Sequence, residues 1–323
     1  RRLADALGAA GQAPARREEP LPAAGDLQKP DWWDAEFPTL RLADVGGMEE
    51  VKRRLNVAFI GPLRNPDVLR AYGKALRGGL LLYGPPGCGK TYIARATAGE
   101  IGARFVAIGL ADVLSMWLGE SERHLHELFE AARRNAPCVL FFDEIDAIGQ
   151  RRSQRRYSAG RNMVNQLLAE MDGVDRDNAG VFVLGATNHP WDVDAALLRP
   201  GRFDRMALVL PPDRSARAAI LGHHLRGRPV DGVDLERLAG RTEDFSGADL
   251  AHLCDTATEY ALEESLAGAG IRSVTGRDFD RALGEVRPST RAWFETARSF
   301  VLFANDGGLY DDLQAYMRAR KLL

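Results

Sequence analysis

The sequence predicts an α/β fold: a parallel sheet covered by helices on both faces, followed by a smaller, all-helical domain. Three observations predict it. Short apolar runs bounded by turns alternate with stretches of helical length and periodicity, the order that yields a parallel sheet under helices. A glycine-rich GxxxxGK[ST] sequence stands between the first of these runs and a helix. Beyond Pro211-Pro212 the apolar pattern is helical only.

The elements follow in chain order. Residues 1–30 are rich in alanine, proline, glycine and mixed charge, too poor in large apolar groups to offset the entropy of ordering, and read as a flexible linker. From Asp31 the texture changes. Trp32, Trp33 and Phe37 appear, and then "LADVGGMEEVKRRLNVAFIGPL", where apolar residues at helical intervals follow a Gly-Gly turn. Four runs, "GLLLY" (79–83), "RFVAIG" (104–109), "CVLFFD" (138–143) and "VFVLGATN" (181–188), have the continuous apolar character of strands buried on both faces. Between them "SERHLHELFEAARRN" has helical periodicity. The helical domain comprises "SARAAILGHHLRG", "DLERLAGR" and "SGADLAHLCDTATEYALEES". The division expected is a large α/β domain over 31–211, a helical domain over 212–287 and an extension over 288–323. That extension reads as two helices around Asn305-Asp306-Gly307-Gly308, with Trp293, Ala297, Phe300, Val301 and Ala304 on one face of the first. Its packing partner, the helical domain or an adjacent subunit, stays open at this point.

Composition narrows the function. With 323 residues, 45% hydrophobic and 27% charged, the chain buries a core large enough for more than one packed unit. Its formal charge of -2 supplies no overall field for nucleic acid or an anionic membrane. No apolar run approaches the roughly 18 residues of a membrane span, and no secretory h-region is visible. Cys88, Cys138 and Cys254 are an odd set without metal-binding spacing, which points to a reducing compartment, the cytoplasm. The chain begins Arg1-Arg2 without methionine and reads as a piece of a longer protein.

The strongest motif is Gly84-Pro85-Pro86-Gly87-Cys88-Gly89-Lys90-Thr91, a P-loop between strand and helix, with Tyr92 next in the helix. Its glycines let consecutive backbone N–H groups turn onto phosphates, and the helix N-terminus adds partial positive charge. Pro86, Gly87, Cys88, Gly89, Lys90, Thr91 and Tyr92 are the predicted nucleotide contacts, with Lys90 reaching the β and γ phosphates and Thr91 ligating Mg2+. About fifty residues on, "CVLFFDEIDA" delivers Asp143 and Glu144 to the carboxyl end of a strand, the end that faces the ligand crevice in an open parallel sheet. Asp143 is read as holding the magnesium through water and Glu144 as activating the water that attacks the γ-phosphate. An acidic pair after a strand also reads as a helix N-cap and first-turn acid; beside the P-loop, catalysis is the better reading. Asn188 is placed to hold the same water or the γ-phosphate, with a plain turn asparagine as the alternative.

Together with GPPGCGKT and FFDEIDA, the segment "GATNHPWDVDAALLRPGRFDR" (185–205) closely resembles the AAA ATPases, and the resemblance runs from about Phe37 to about Arg287. It implies that the helical domain is a lid over bound ATP. It also implies that Arg199 and Arg202 reach across to the nucleotide of a neighbouring subunit, in a homo-oligomer, most simply a hexameric ring. Asp44, Val45 and Gly46 match the turn that lies along the adenine; Gly247 and Ala248 match the lid turn that touches ribose and adenine. His224 aligns with a nucleotide-contacting histidine. Met116, Trp117 and Leu118, followed by Gly119, occupy the place of the loop that grips protein substrate in the central pore. A second loop (149–162) carries Arg151, Arg152, Arg155, Arg156 and Arg161 and is expected to border the same pore.

The function implied is magnesium-dependent ATP hydrolysis coupled to threading, unfolding or disassembly of a protein substrate, with an adaptor or missing N-terminal region as further partner. The alternative is a nucleotide-switched assembly factor of a larger machine, for example a contractile injection system. A nucleic-acid motor is a third reading, opposed by the near-neutral charge and by Trp117. No HExxH occurs, since "HLHEL" (124–128) has the wrong order, which excludes an AAA metalloprotease.

Overall fold

The computed structural model describes residues 35–72, 78–110, 121–147, 158–173, 178–268, 270–305 and 307–323. Residues 35–323 form one contact unit. The turn at Gly47 and Met48, both with positive φ, leads into α1 (Glu49–Leu55), a π-helical turn (Asn56–Ile60), α2 (Gly61–Arg64) and α3 (Pro66–Ala71). Next come β1 (Gly79–Tyr83), α4 (Lys90–Ile101), β2 (Arg104–Gly109) and α5 (Ser121–Arg134). They are followed by β3 (Cys138–Asp143), α6 (Ser158–Asp172), β4 (Val181–Thr187) and β5 (Arg205–Leu208).

The five strands are parallel in the order β2-β3-β4-β1-β5. β1 and β4 are buried at every residue, as their unbroken apolar runs require. Alternation along β3 divides the two faces. Phe141 stacks on Phe105 in the core shared with α1 and α4, while Phe142 stacks on Phe129 of α5. Sequence reading missed β5, because four residues beginning with an exposed arginine and ending at the sheet edge carry little apolar signal. The opposite edge is covered. Glu36 exchanges two backbone hydrogen bonds with Phe105 of β2, and Arg104 lies over the Phe37 ring at 4.5 Å.

This leading segment fixes a packing requirement inside α4. A Cβ placed on Gly99 would stand 2.0 Å from the Leu40 carbonyl oxygen and 2.8 Å from that of Pro38. Helix propensity alone favours Gly99→Ala by about 1 kcal/mol. Overpacking against backbone outweighs it, at about 3 kcal/mol. Gly99→Ala is therefore expected to lower the melting temperature in calorimetry; an unchanged or raised value would mean that residues 38–40 do not rest on α4.

The lid consists of α7 (Arg214–His224), α8 (Leu235–Arg241), α9 (Gly247–Ala267) and α10 (Gly276–Glu285) around a core that includes Leu221, Leu253, Ala257 and Phe279. Their starts are written in the sequence. Asp213 and Asp234 cap α7 and α8, and capping boxes Ser246/Asp249 and Thr275/Asp278 open α9 and α10. The extension forms α11 (Thr290–Phe303) and α12 (Asp311–Ala319). It packs on its own chain. Trp293, Phe294, Ala297 and Val301 share a buried cluster with Tyr83 of β1 and Leu208 of β5, while Arg320 pairs with Glu243 and Asp244 of the lid. Phe300 is half-buried, and Ala304, at the end of α11, is exposed. Among the described residues no helix is long and apolar enough to cross a membrane.

Candidate active site

The site lies where the carboxyl ends of β1, β3 and β4 open toward the lid. Tyr83 pairs in register with Thr187, so Gly84 and Asn188 leave the sheet side by side. Gly84 has φ 145, and a Cβ there would fall 2.1 Å from the Val209 carbonyl oxygen. Gly87 and Gly89 also have positive φ, and Gly89 is the residue before the first turn of α4. The loop thus aims its backbone at the helix N-terminus, an arrangement built for anions.

Lys90 is 7% exposed, and its Nζ donates to the carbonyls of Gly84 at 2.9 Å and Pro85 at 2.8 Å. Burial pushes its pKa down to about 8, against the pull of neighbouring acidic groups. Cys88 is buried beside it and its thiol is pushed up to about 12, so it stays protonated and packs as a small apolar group. All three cysteines are free and buried.

Thr91 Oγ1 donates to Asp143 Oδ2 at 3.1 Å, which brings the two predicted magnesium ligands together. A hydroxyl and a carboxylate at a phosphate loop suit Mg2+, a hard cation that takes its remaining ligands from phosphates and water. No cluster of three or more His, Cys, Asp or Glu side chains suited to a metal occurs among the described residues. Glu144 is exposed and has φ 54, an unusual conformation for a non-glycine residue. Its N–H donates to Asp143 Oδ1 at 2.9 Å, so the turn that exposes Glu144 is fixed by the carboxylate before it.

Just past β4, Asn188 Oδ1 is buried with no hydrogen-bond partner among the described residues, an orphaned polar atom facing the requirement of a ligand. Two residues outside the predicted set shape this corner. Asp146, 7% exposed, accepts from Thr187 Oγ1 at 2.7 Å and contacts His189 Nδ1 at 3.1 Å. The second acid of "DEID" was the available signal for Asp146; nothing local marked His189 as its partner.

The residues expected along the adenine lie between the entry turn, the lid and the phosphate loop. Val45 is buried in the cluster that contains Cys88, and a Cβ on Gly46 would meet Ala216 of the lid at 3.2 Å. The exposed Asp44 accepts from the Arg41 N–H at 2.8 Å, closing its own turn. Ala248 N–H donates to the Gly87 carbonyl at 3.2 Å, and a Cβ on Gly87 would stand 2.8 Å from Ala248 Cβ, so the start of α9 rests directly on the phosphate loop. Gly247 is equally close, its missing Cβ 3.1 Å from the same carbonyl. Pro86 and Tyr92 are exposed. His224 is half-buried beside His223, with burial lowering its pKa, and makes no hydrogen bond to the loop among the described residues.

The arginines stand apart. Gly79 N–H, at the opening of β1, donates to the Arg202 carbonyl, which sets Arg202 at the end of the strand opposite the P-loop, about 16 Å away by strand rise. Arg202 forms a bidentate pair with Asp172, both bonds 2.8 Å, and also donates to the Ala196 carbonyl at 2.7 Å. That carboxylate keeps the guanidinium pKa above its ordinary value. Arg199 is exposed. Met116, Trp117 and Leu118, and the arginines at 151, 152, 155 and 156, lie outside the described residues, as do Trp32 and Trp33.

A phosphate loop, an acidic pair on β3, a polar residue ending β4 and a helical lid define a nucleotide-binding P-loop protein with a lid. The family model "ATPase family associated with various cellular activities (AAA)" matches residues 80–210, and the "AAA+ lid domain" model matches residues 232–280. The chain therefore belongs to the AAA ATPase family. It is 43% identical over 266 residues to the Cell division cycle protein 48 homolog of Archaeoglobus fulgidus, a match covering 79% of this chain and 36% of that protein. It is also 43% identical over 264 residues to the Cell division control protein 48 homolog C of Arabidopsis thaliana, covering 78% and 32%. The chain thus spans about a third of the length of these relatives.

Proposed function

We propose that this chain hydrolyses ATP as one subunit of a ring, most simply a hexamer, and uses the cycle to thread or remodel a protein substrate through a central pore. The observation that carries the reading is the separation of parts along β1. The phosphate loop, Asp143, Glu144 and Asn188 gather at its carboxyl end, whereas Arg199 and Arg202 lie at its other end, out of reach of their own nucleotide. Such a site is completed by a neighbour placed head to tail. Arg202, already paired with Asp172, positions the turn, and the exposed Arg199 is the guanidinium available to the adjoining γ-phosphate.

Within the site, the water oxygen attacks the γ-phosphorus, the bond to the β–γ bridging oxygen breaks, and ADP leaves with the electron pair. Glu144 orients the water and accepts its proton, and Asn188 holds the water or a γ-phosphate oxygen through its amide. Lys90 exchanges the two loop carbonyls for β and γ phosphate oxygens. Magnesium, when bound, neutralises charge on those oxygens, and Thr91 and Asp143 are the residues that would hold it. Val45, Gly46, Gly247 and Ala248 enclose adenine and ribose, with Asp44 and His224 at the margin. Large domain, lid and extension divide at 31–211, 212–287 and 288–323.

Met116, Trp117 and Leu118 supply the apolar grip on substrate. The test replaces Trp117 with a photo-crosslinking amino acid in the Glu144→Gln background, with ATP added in cell extract. Capture of polypeptide from outside the ring is expected. Crosslinks confined to the ring's own chains, in assemblies with bound ATP, would replace threading by a nucleotide-switched assembly role.

A further inference from the structure

The peptide group that joins Asn188 to His189 is held from both sides. Its N–H donates to Thr187 Oγ1 at 2.9 Å, and Thr187 is in turn fixed by Asp146. Its carbonyl accepts the indole N–H of Trp293 at 2.5 Å, a donor that comes from the extension 105 residues further on. The Asn188 side-chain oxygen has no partner of its own among the described residues, so the direction of the amide depends on how this peptide plane is set. The indole is itself held in place: Trp293 is 6% exposed, with Phe294 edge-on at 5.2 Å and Trp191 at 5.8 Å, whereas Phe300 stacks on Trp191 at 4.5 Å, one ring further from the indole.

The same helical turn is fastened to the lid. Ser289 donates through both its N–H and its hydroxyl to Asp249 Oδ2, each at 3.0 Å, and Asp249 is the acid of the capping box that opens α9 on the phosphate loop. Thr290, fully buried, donates to the Asp244 carbonyl at 2.6 Å. Trp293 follows Thr290 at i+3, so the lid and the β4 terminus are tied to opposite ends of one turn of α11.

We infer that Trp293 is a positioning residue for Asn188, and that the first turn of α11 transmits the seating of the lid on nucleotide to the residue that holds the attacking water. This rests on the catalytic reading of Asn188 given above. Trp293→Phe keeps an aromatic ring in the cluster and removes only the N–H. Loss of that bond is expected to lower kcat for ATP about tenfold while KM stays within about twofold. Phe300→Leu, which loosens the stack and leaves the N–H in place, is expected to lower the melting temperature and keep kcat at wild-type level below the transition. Ser289→Ala is expected to lower kcat about threefold, and its effect is expected to vanish in the Trp293→Phe background, as for two links of one chain. An unchanged kcat in Trp293→Phe would overturn the inference, and so would parallel losses of kcat and melting temperature in Trp293→Phe and Phe300→Leu. If Trp293→Phe does not fold, Ser289→Ala decides alone, with an unchanged kcat overturning it. Asn188→Ala separates the two levels: wild-type turnover in that variant defeats the role of Asn188 itself, whereas an inactive Asn188→Ala beside a fully active Trp293→Phe defeats only the coupling.

Discussion

Glu144→Gln is expected to bind ATP with near wild-type affinity and to lose turnover by a factor of about 10²–10⁴, the range attributable to a positioned general base. The amide matches the carboxylate in shape but does not accept the proton of the attacking water. The groups around it are spared. The positive φ at residue 144 and the bond from its N–H to Asp143 Oδ1 belong to the backbone, and the Thr91–Asp143 contact lies one residue away. Binding by calorimetry and phosphate release at saturating ATP, measured on the same preparation, separate the two effects. Turnover at the wild-type rate would remove Glu144 from the role of base. Asp146 would be a poor replacement, since its two oxygens already face Thr187 and His189.

How much of this site is legible in the sequence depends on whether a residue's partner is local. The P-loop is legible because strand, glycines, lysine and helix are contiguous, and the same holds for the capping boxes of the lid, where donor and acceptor are three residues apart. Asp143 and Glu144 are legible from the buried run that delivers them. β5 is not, because its pairing with β1 is decided by a neighbour more than a hundred residues away rather than by its own pattern. The Asp146–His189 contact, the Arg202–Asp172 pair and the Trp293–Asn188 bond are hidden for the same reason. Trp293 was legible as part of an apolar helix face. What that face covers required the sheet edge formed by β1 and β5.

Lys90→Ala is expected to weaken ATP binding by about 100-fold or more, since two charge-assisted hydrogen bonds to phosphate contribute about 1.5–3 kcal/mol each. The wild-type residue should also leave a mark in the pH dependence of binding. Without phosphate beside it, burial lowers its pKa to about 8, and the carbonyls of Gly84 and Pro85 only partly replace the lost hydration. Phosphate oxygens reverse the sign and raise the pKa in the complex. Below pH 8 the lysine is protonated with or without nucleotide, so affinity is flat in that range. Above pH 8 the empty site has lost its proton and must regain it on binding, and affinity falls toward tenfold per pH unit. The nucleotide does not confound this window, because its terminal phosphate, with a pKa of about 6, is already ionised there. Dissociation constants at pH 7 and pH 9 in the Glu144→Gln background, with and without Lys90→Ala, read the effect directly. Loss of the pH slope in the Lys90→Ala variant assigns the proton to Lys90. A flat profile with the lysine present would mean that Nζ is hydrated in the empty site rather than held against the loop carbonyls, and that the loop takes up its closed geometry only when phosphate arrives.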